Sequence, residues 1–90
     1  MLYRLRLSQE VQRQIDHLPG HIRQRIRQTI AGLAYDPRPA AAKQMEDDLS
    51  GYYRIRFESY RVIYTIDDDI VLVEIIRVMK RTPKTYAGLP

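Results

Sequence analysis

The run Tyr52-Tyr53-Arg54-Ile55-Arg56-Phe57-Glu58-Ser59-Tyr60-Arg61-Val62-Ile63-Tyr64 constrains the fold more than any other part of the chain. Aromatic and β-branched residues alternate with arginines on both sides of Glu58-Ser59, the pattern of two strands joined by a tight turn. Folding the halves about that turn pairs Phe57 with Tyr60, Arg56 with Arg61, Ile55 with Val62 and Arg54 with Ile63. Side chains alternate faces along a strand. Tyr53, Ile55, Phe57, Tyr60, Val62 and Tyr64 therefore share a core face, and Arg54, Arg56 and Arg61 share the other. Like charges opposite one another destabilise a sheet. A polyanion seated on the arginines would offset that cost.

The rest of the chain supplies the elements that cover such a hairpin. Leu2 to Leu7 alternates apolar and basic residues and reads as a first strand. Ser8 is a good helix N-cap. Val11, Ile15 and Leu18 follow at helical spacing, and Pro19-Gly20 ends that helix. Ile22, Ile26, Ile30 and Leu33 form the stripe of a second helix, which stops before Asp36-Pro37 because a residue preceding proline avoids the helical region. Residues 37–43 read as a Pro/Ala loop, Gln44 to Leu49 as a short edge strand and Ser50-Gly51 as a turn. After a turn at Asp67-Asp68-Asp69, Ile70 to Val78 is apolar on both faces, as in the middle of a sheet. The order β-α-α-β-β-β predicts an α+β domain, an antiparallel sheet covered on one face by an N-terminal helical hairpin. A two-residue turn after Asp67 would pair Val62 with Ile75, keep Val71, Val73 and Ile75 on the core face, and set Glu74 opposite Ile63 among the arginines. A one-residue slip would bury Glu74 instead.

Composition narrows the class. Ninety residues, 44% of them hydrophobic, make one small globular domain over residues 1–90, without repeats or linkers. There is no cysteine, hence no disulfide framework and no thiolate metal site, which suits the cytoplasm. No apolar run reaches the length of a membrane span, and the alternating N-terminus does not read as a signal peptide. A net charge of +4 invites a nucleic-acid or ribosomal partner without identifying one.

Other motifs have ordinary explanations. Asp67-Asp68-Asp69 has the residue type of a hard-cation site, but a polar turn between strands explains it better. Glu46-Asp47-Asp48 reads as a solvated loop. Arg23, Arg25 and Arg27 read as the solvated side of the second helix. His17 and His21 flank a helix break and form no ligand or triad pattern. The two helices are needed as cover for the sheet, which argues against a helix-turn-helix reading. Phosphate-binding loops, dinucleotide fingerprints and nucleophile elbows are absent. The arginines could equally form a solvated face. Their cross-strand grouping without a carboxylate favours phosphate, which a guanidinium grips through two hydrogen bonds. Tyr86, in a basic tail with Arg81, suits stacking on a base as well as packing back onto the sheet.

Leu49-Ser50-Gly51-Tyr52-Tyr53-Arg54-Ile55-Arg56, Tyr60-Arg61-Val62-Ile63-Tyr64, Arg77-Val78-Met79-Lys80-Arg81 and Tyr86 together resemble the RelE/ParE toxin superfamily of bacterial type II toxin–antitoxin systems. The resemblance spans nearly the whole chain and implies a RelE-like fold. It implies one of two activities. RelE-like members are ribosome-dependent endonucleases that cut mRNA in the A site, through attack of a 2′-hydroxyl on the adjacent phosphorus. ParE-like members inhibit DNA gyrase and lack the nuclease residues. Arg54, Arg56, Arg61, Arg81 and Tyr86 match the basic and tyrosine positions of the nuclease members, which favours cleavage without metal or cofactor. The resemblance also implies a protein antitoxin, with the ribosome and mRNA as further partners. Some relatives carry lysine at the positions of Arg54 and Arg56. Arginine does not surrender its proton, so the proton acceptor is left unassigned.

Overall fold

The computed structural model describes residues 2–90. Its elements run β1 (Arg4–Leu7), α1 (Gln9–Asp16), α2 (Gly20–Gly32), β2 (Ala42–Gln44), a 3₁₀ turn (Asp47–Leu49), β3 (Tyr52–Phe57), β4 (Tyr60–Asp67) and β5 (Leu72–Lys80). The five strands form one sheet in the order β1-β5-β4-β3-β2. β2, β3, β4 and β5 are successively antiparallel, while β1 lies parallel to β5. The α+β class with a helical hairpin on the sheet is the one the sequence predicts. The parallel β1 and the separate edge strand β2 complete it.

Local chemistry explains the helices. Ser8 Oγ accepts the Val11 N–H at 3.1 Å and caps α1. Val11, Ile15 and Leu18, with Ile22, Ile26, Ile30 and Leu33, are all buried against Ile55, Val62, Tyr64, Val73, Ile75 and Val78 of the sheet. Each such aliphatic side chain contributes about 1.5–3 kcal/mol by leaving water. The arginines of α2 have partners of their own. Arg27 pairs with the Asp16 carboxylate, Arg23 Nη1 donates to the Asp16 carbonyl at 3.2 Å, and the Arg25 guanidinium lies 5.0 Å from the Phe57 ring centroid. They fasten α2 to α1 and to the sheet.

The β3–β4 register is the one read from the sequence: Phe57 opposes Tyr60, Arg56 opposes Arg61, Ile55 opposes Val62 and Arg54 opposes Ile63. Glu58, first of the two turn residues, has φ 52°, a left-handed backbone that glycine adopts without a Cβ penalty. Glu58→Gly is expected to raise the stability by about 1 kcal/mol, read as a higher urea midpoint at unchanged slope.

Two expectations are corrected. The edge strand occupies Ala42–Gln44 rather than residues 44–49, and Asp47–Leu49 is a 3₁₀ turn. Asp47 sits at φ 55° and the Leu49 N–H bonds the Glu46 carbonyl, a turn geometry that suits short acidic side chains. The β4–β5 register also differs. Val62 opposes Val78, Ile63 opposes Arg77, and Glu74 opposes Thr65. The connection is longer than two residues because Asp67 Oδ1 accepts the N–H groups of Asp69 and Ile70, which holds the chain in a turn until Leu72. An irregularity beside Ile63/Tyr64 then leaves Ile76 without an opposite residue. That bulge switches the face parity, so Val73, Ile75 and Val78 all reach the core despite their uneven spacing.

A polar cluster locks the end of the sheet that holds this turn. Arg38 donates to both Asp68 oxygens (3.2 and 2.8 Å) and to the Tyr53 hydroxyl (3.1 Å), while the Tyr3 hydroxyl donates to Asp68 at 2.6 Å. Tyr64, fully buried, stacks on Tyr53 and donates to the Pro37 carbonyl at 2.8 Å. The bonds from Arg38, then from Tyr3, hold the Asp68 carboxyl below its ordinary value of 3.8. The folded protein thus takes up this proton less readily than the unfolded chain. The cluster's contribution is complete above roughly pH 4 and is lost as the pH falls through the lowered value. Asp68→Asn is expected to make the acid-induced fall in Tm shallower below that pH and to lower Tm slightly at neutral pH, as thermal melts across pH would record.

Candidate functional site

Strand alternation brings Arg54, Arg56 and Arg61 to the face opposite the helices, as their register requires. Their environments differ. Arg56 is exposed, Arg54 is half-buried, and Arg61 is only 7% exposed. Arg61 Nη1 donates to the carbonyls of Glu58 (3.1 Å) and Tyr60 (2.9 Å), so part of its guanidinium braces the hairpin turn. The Nε–H groups of both Arg54 and Arg61 are buried with no acceptor. Arg81 is exposed just past β5. Its backbone N–H bonds the Ser59 carbonyl at 2.6 Å, which sets it at the hairpin tip.

The chain after β5 returns over the same face. Ile63 and Thr85 are both fully buried, and Tyr86 is half-buried. Tyr86 lines a cavity of about 320 Å³ together with Arg54, Arg56, Lys43, Gln44, Met45 and Glu46. Three of the five residues singled out from the sequence therefore share one cavity wall. Arg61 and Arg81 lie outside it, beside the turn and at the tip. Glu74, expected opposite Ile63, is displaced by Arg77.

Lys43 and Glu46 were not anticipated. Lys43 pairs directly with Arg54 across β2 and β3, and Glu46 follows where β2 gives way to the 3₁₀ turn. Glu46 makes no capping bond at that turn and is the one carboxylate among the cavity residues. Only the correct position of the edge strand would have revealed them, and Ala-Lys-Gln carries little β-propensity.

The cavity thus presents cations on a rigid sheet, an aromatic ring from the tail and a single carboxylate. With the helical hairpin on the opposite face, this arrangement defines a toxin of the RelE/ParE superfamily. The sequence profile described as "ParE toxin of type II toxin-antitoxin system, parDE" matches residues 5–83, and the chain belongs to that family. Toxin RelE of Mycobacterium tuberculosis is 29% identical over 80 residues, covering 89% of this chain and 82% of that protein. The toxin–antitoxin complex RelBE2 of the same organism contains a chain that superposes with a TM-score of 0.77 at 29% identity, covering 90% of this chain and all of that one. The archaeal RelE–RelB complex of Pyrococcus horikoshii gives 0.78 at 26%, covering 92% and 99%. Among the described residues no helix is long and apolar enough to cross a membrane.

Proposed function

We propose that this toxin is a ribosome-dependent mRNA endonuclease that cuts in the A site, acting in the cytoplasm and held in check by a protein antitoxin. The observation that carries the reading is the pair of buried, acceptor-free Nε–H groups on Arg54 and Arg61. A buried donor without a partner is costly and calls for an explanation. Phosphate oxygens are the acceptors a guanidinium fits best. The relatives solved as complexes with RelB support the antitoxin partner.

The chemistry follows from the residues. The 2′-hydroxyl of the mRNA attacks the adjacent phosphorus; the P–O5′ bond breaks, leaving a 2′,3′-cyclic phosphate and a 5′-hydroxyl. Arg54, Arg56 and Arg61 hold the phosphate and stabilise the charge that grows on it. Arg81, at the tip, grips the phosphate from the other side and assists the leaving oxygen. Tyr86 stacks on or orients a base. Glu46 is the group suited to take the 2′-hydroxyl proton, a task the arginines cannot perform. The nucleophile belongs to the substrate, so the reaction needs neither metal nor cofactor, and DNA, lacking a 2′-hydroxyl, is not cut. In-line alignment is worth up to about 7–11 kcal/mol, and the ribosome supplies it by stretching the codon.

Primer extension on a defined mRNA with ribosomes and purified toxin tests this reading. Breaks confined to the A-site codon are expected. The match to a ParE profile favours one second reading, inhibition of DNA gyrase. Absence of A-site breaks together with blocked supercoiling by gyrase would establish that alternative.

A further inference from the structure

We infer that Arg77 is the positioning residue that holds Tyr86 against the cationic face. For its role in cleavage this inference rests on the endonuclease reading. For its role in docking the tail it stands alone.

Among the described residues, only two hydrogen bonds join the segment after Arg81 to the rest of the protein. Both come from Arg77 Nη1, to the Thr85 carbonyl at 2.9 Å and to the Ala87 carbonyl at 2.7 Å. The other bonds of the segment are internal. The Thr82 N–H donates to Thr85 Oγ1, that hydroxyl donates back to the Thr82 carbonyl, and the Ala87 N–H bonds the Lys84 carbonyl. The tail is therefore a small self-bonded turn docked through one guanidinium nitrogen and the buried Thr85. The two carbonyls that Arg77 holds flank Tyr86. Holding the peptide that enters Tyr86 and the one that leaves Ala87 pins the short stretch between them, which restricts the direction of the Tyr86 Cα–Cβ bond and keeps its ring on the wall shared with Arg54 and Arg56.

Arg77 owes its place to the bulge. Val73 and Ile75 face the helices, so unbroken alternation would send residue 77 into the core as well. The extra residue Ile76 sets Arg77 opposite Ile63, on the arginine face. Bulges often re-aim a side chain beside a functional site, and here the bulge turns a cation toward the tail.

Limited trypsinolysis with mass spectrometry reads the docking. Cleavage at Lys84–Thr85, releasing residues 85–90, requires the tail to lift. Arg77→Ala is expected to speed that cut about tenfold or more, the effect of losing hydrogen bonds to a charged donor, with no change at sites in α2. Arg77→Lys, which keeps the charge and the packed stem, should fall between the two and guards against a folding defect. In the ribosome assay Arg77→Ala should slow single-turnover cleavage about tenfold, and combining it with Tyr86→Ala should add nothing to the loss from Tyr86→Ala alone. Unchanged cutting at Lys84–Thr85 overturns the inference. Additive losses also overturn it, because Arg77 would then act apart from Tyr86. Wild-type protein that makes no A-site breaks would defeat the endonuclease reading, and the trypsin arm would still decide whether Arg77 holds the tail.

Discussion

Arg54→Ala is expected to lower A-site cleavage about 10²- to 10³-fold, the usual cost of removing one transition-state donor, without lowering stability. The two effects part company because of where Arg54 sits. It is half-buried, its Nε–H has no acceptor, and Lys43 is its cross-strand neighbour. Alanine removes a buried unsatisfied donor and a like-charge pair, both of which cost free energy in the unbound protein. A urea midpoint equal to or above wild type, with cleavage nearly abolished, marks a group kept for its ligand. Arg61→Ala is the contrasting control. Arg61 Nη1 braces the Glu58 and Tyr60 carbonyls, so this variant loses stability along with activity. If Arg54→Ala cleaves like wild type, the phosphate does not sit on this face. If it stays fully toxic while cells show gyrase inhibition, the ParE-like reading takes over.

The hairpin was legible because two constraints agree. A two-residue turn leaves one register, and only that register gathers Tyr53, Ile55, Phe57, Tyr60, Val62 and Tyr64 on one face. Both helices were legible from their stripes, since Val11, Ile15, Ile22, Ile26 and Ile30 repeat at a spacing only a helix can bury together. β5 defeated the same logic. Leu72, Val73, Ile75, Ile76 and Val78 are apolar on both faces, so periodicity says nothing about where parity switches, and the bulge at Ile76 was invisible. Arg38 was missed for another reason: its partner Asp68 lies 30 residues away and meets it only once β1, β3 and the loop after α2 have assembled. On the cavity wall, alternation along β3 placed Arg54 and Arg56 on the face opposite the helices, and the basic tail pointed to Tyr86. The missing wall came from Lys43 and Glu46, whose short, polar strand and turn show no period to read.

That missing wall bears on the proton. Glu46→Gln is expected to cut the rate about 10²- to 10⁴-fold, the range for a lost general base, while leaving Km and stability near wild type. Glutamine keeps the size of the side chain, and Glu46 makes no capping bond that the change would break. The loss should therefore be confined to proton transfer. A second substitution separates this from mere crowding. Glu46→Asp, which keeps a carboxylate on a shorter stem, should recover part of the rate that Glu46→Gln loses. The cations that line the cavity stabilise the alkoxide that forms as the proton leaves, so a carboxylate suffices as base where the phosphate is already gripped. If Glu46→Gln stays within about threefold of wild type, no side chain on this wall takes the proton. Alignment on the ribosome and the arginine clamp would then have to supply the whole acceleration, and Arg54→Ala would be the more damaging of the two changes.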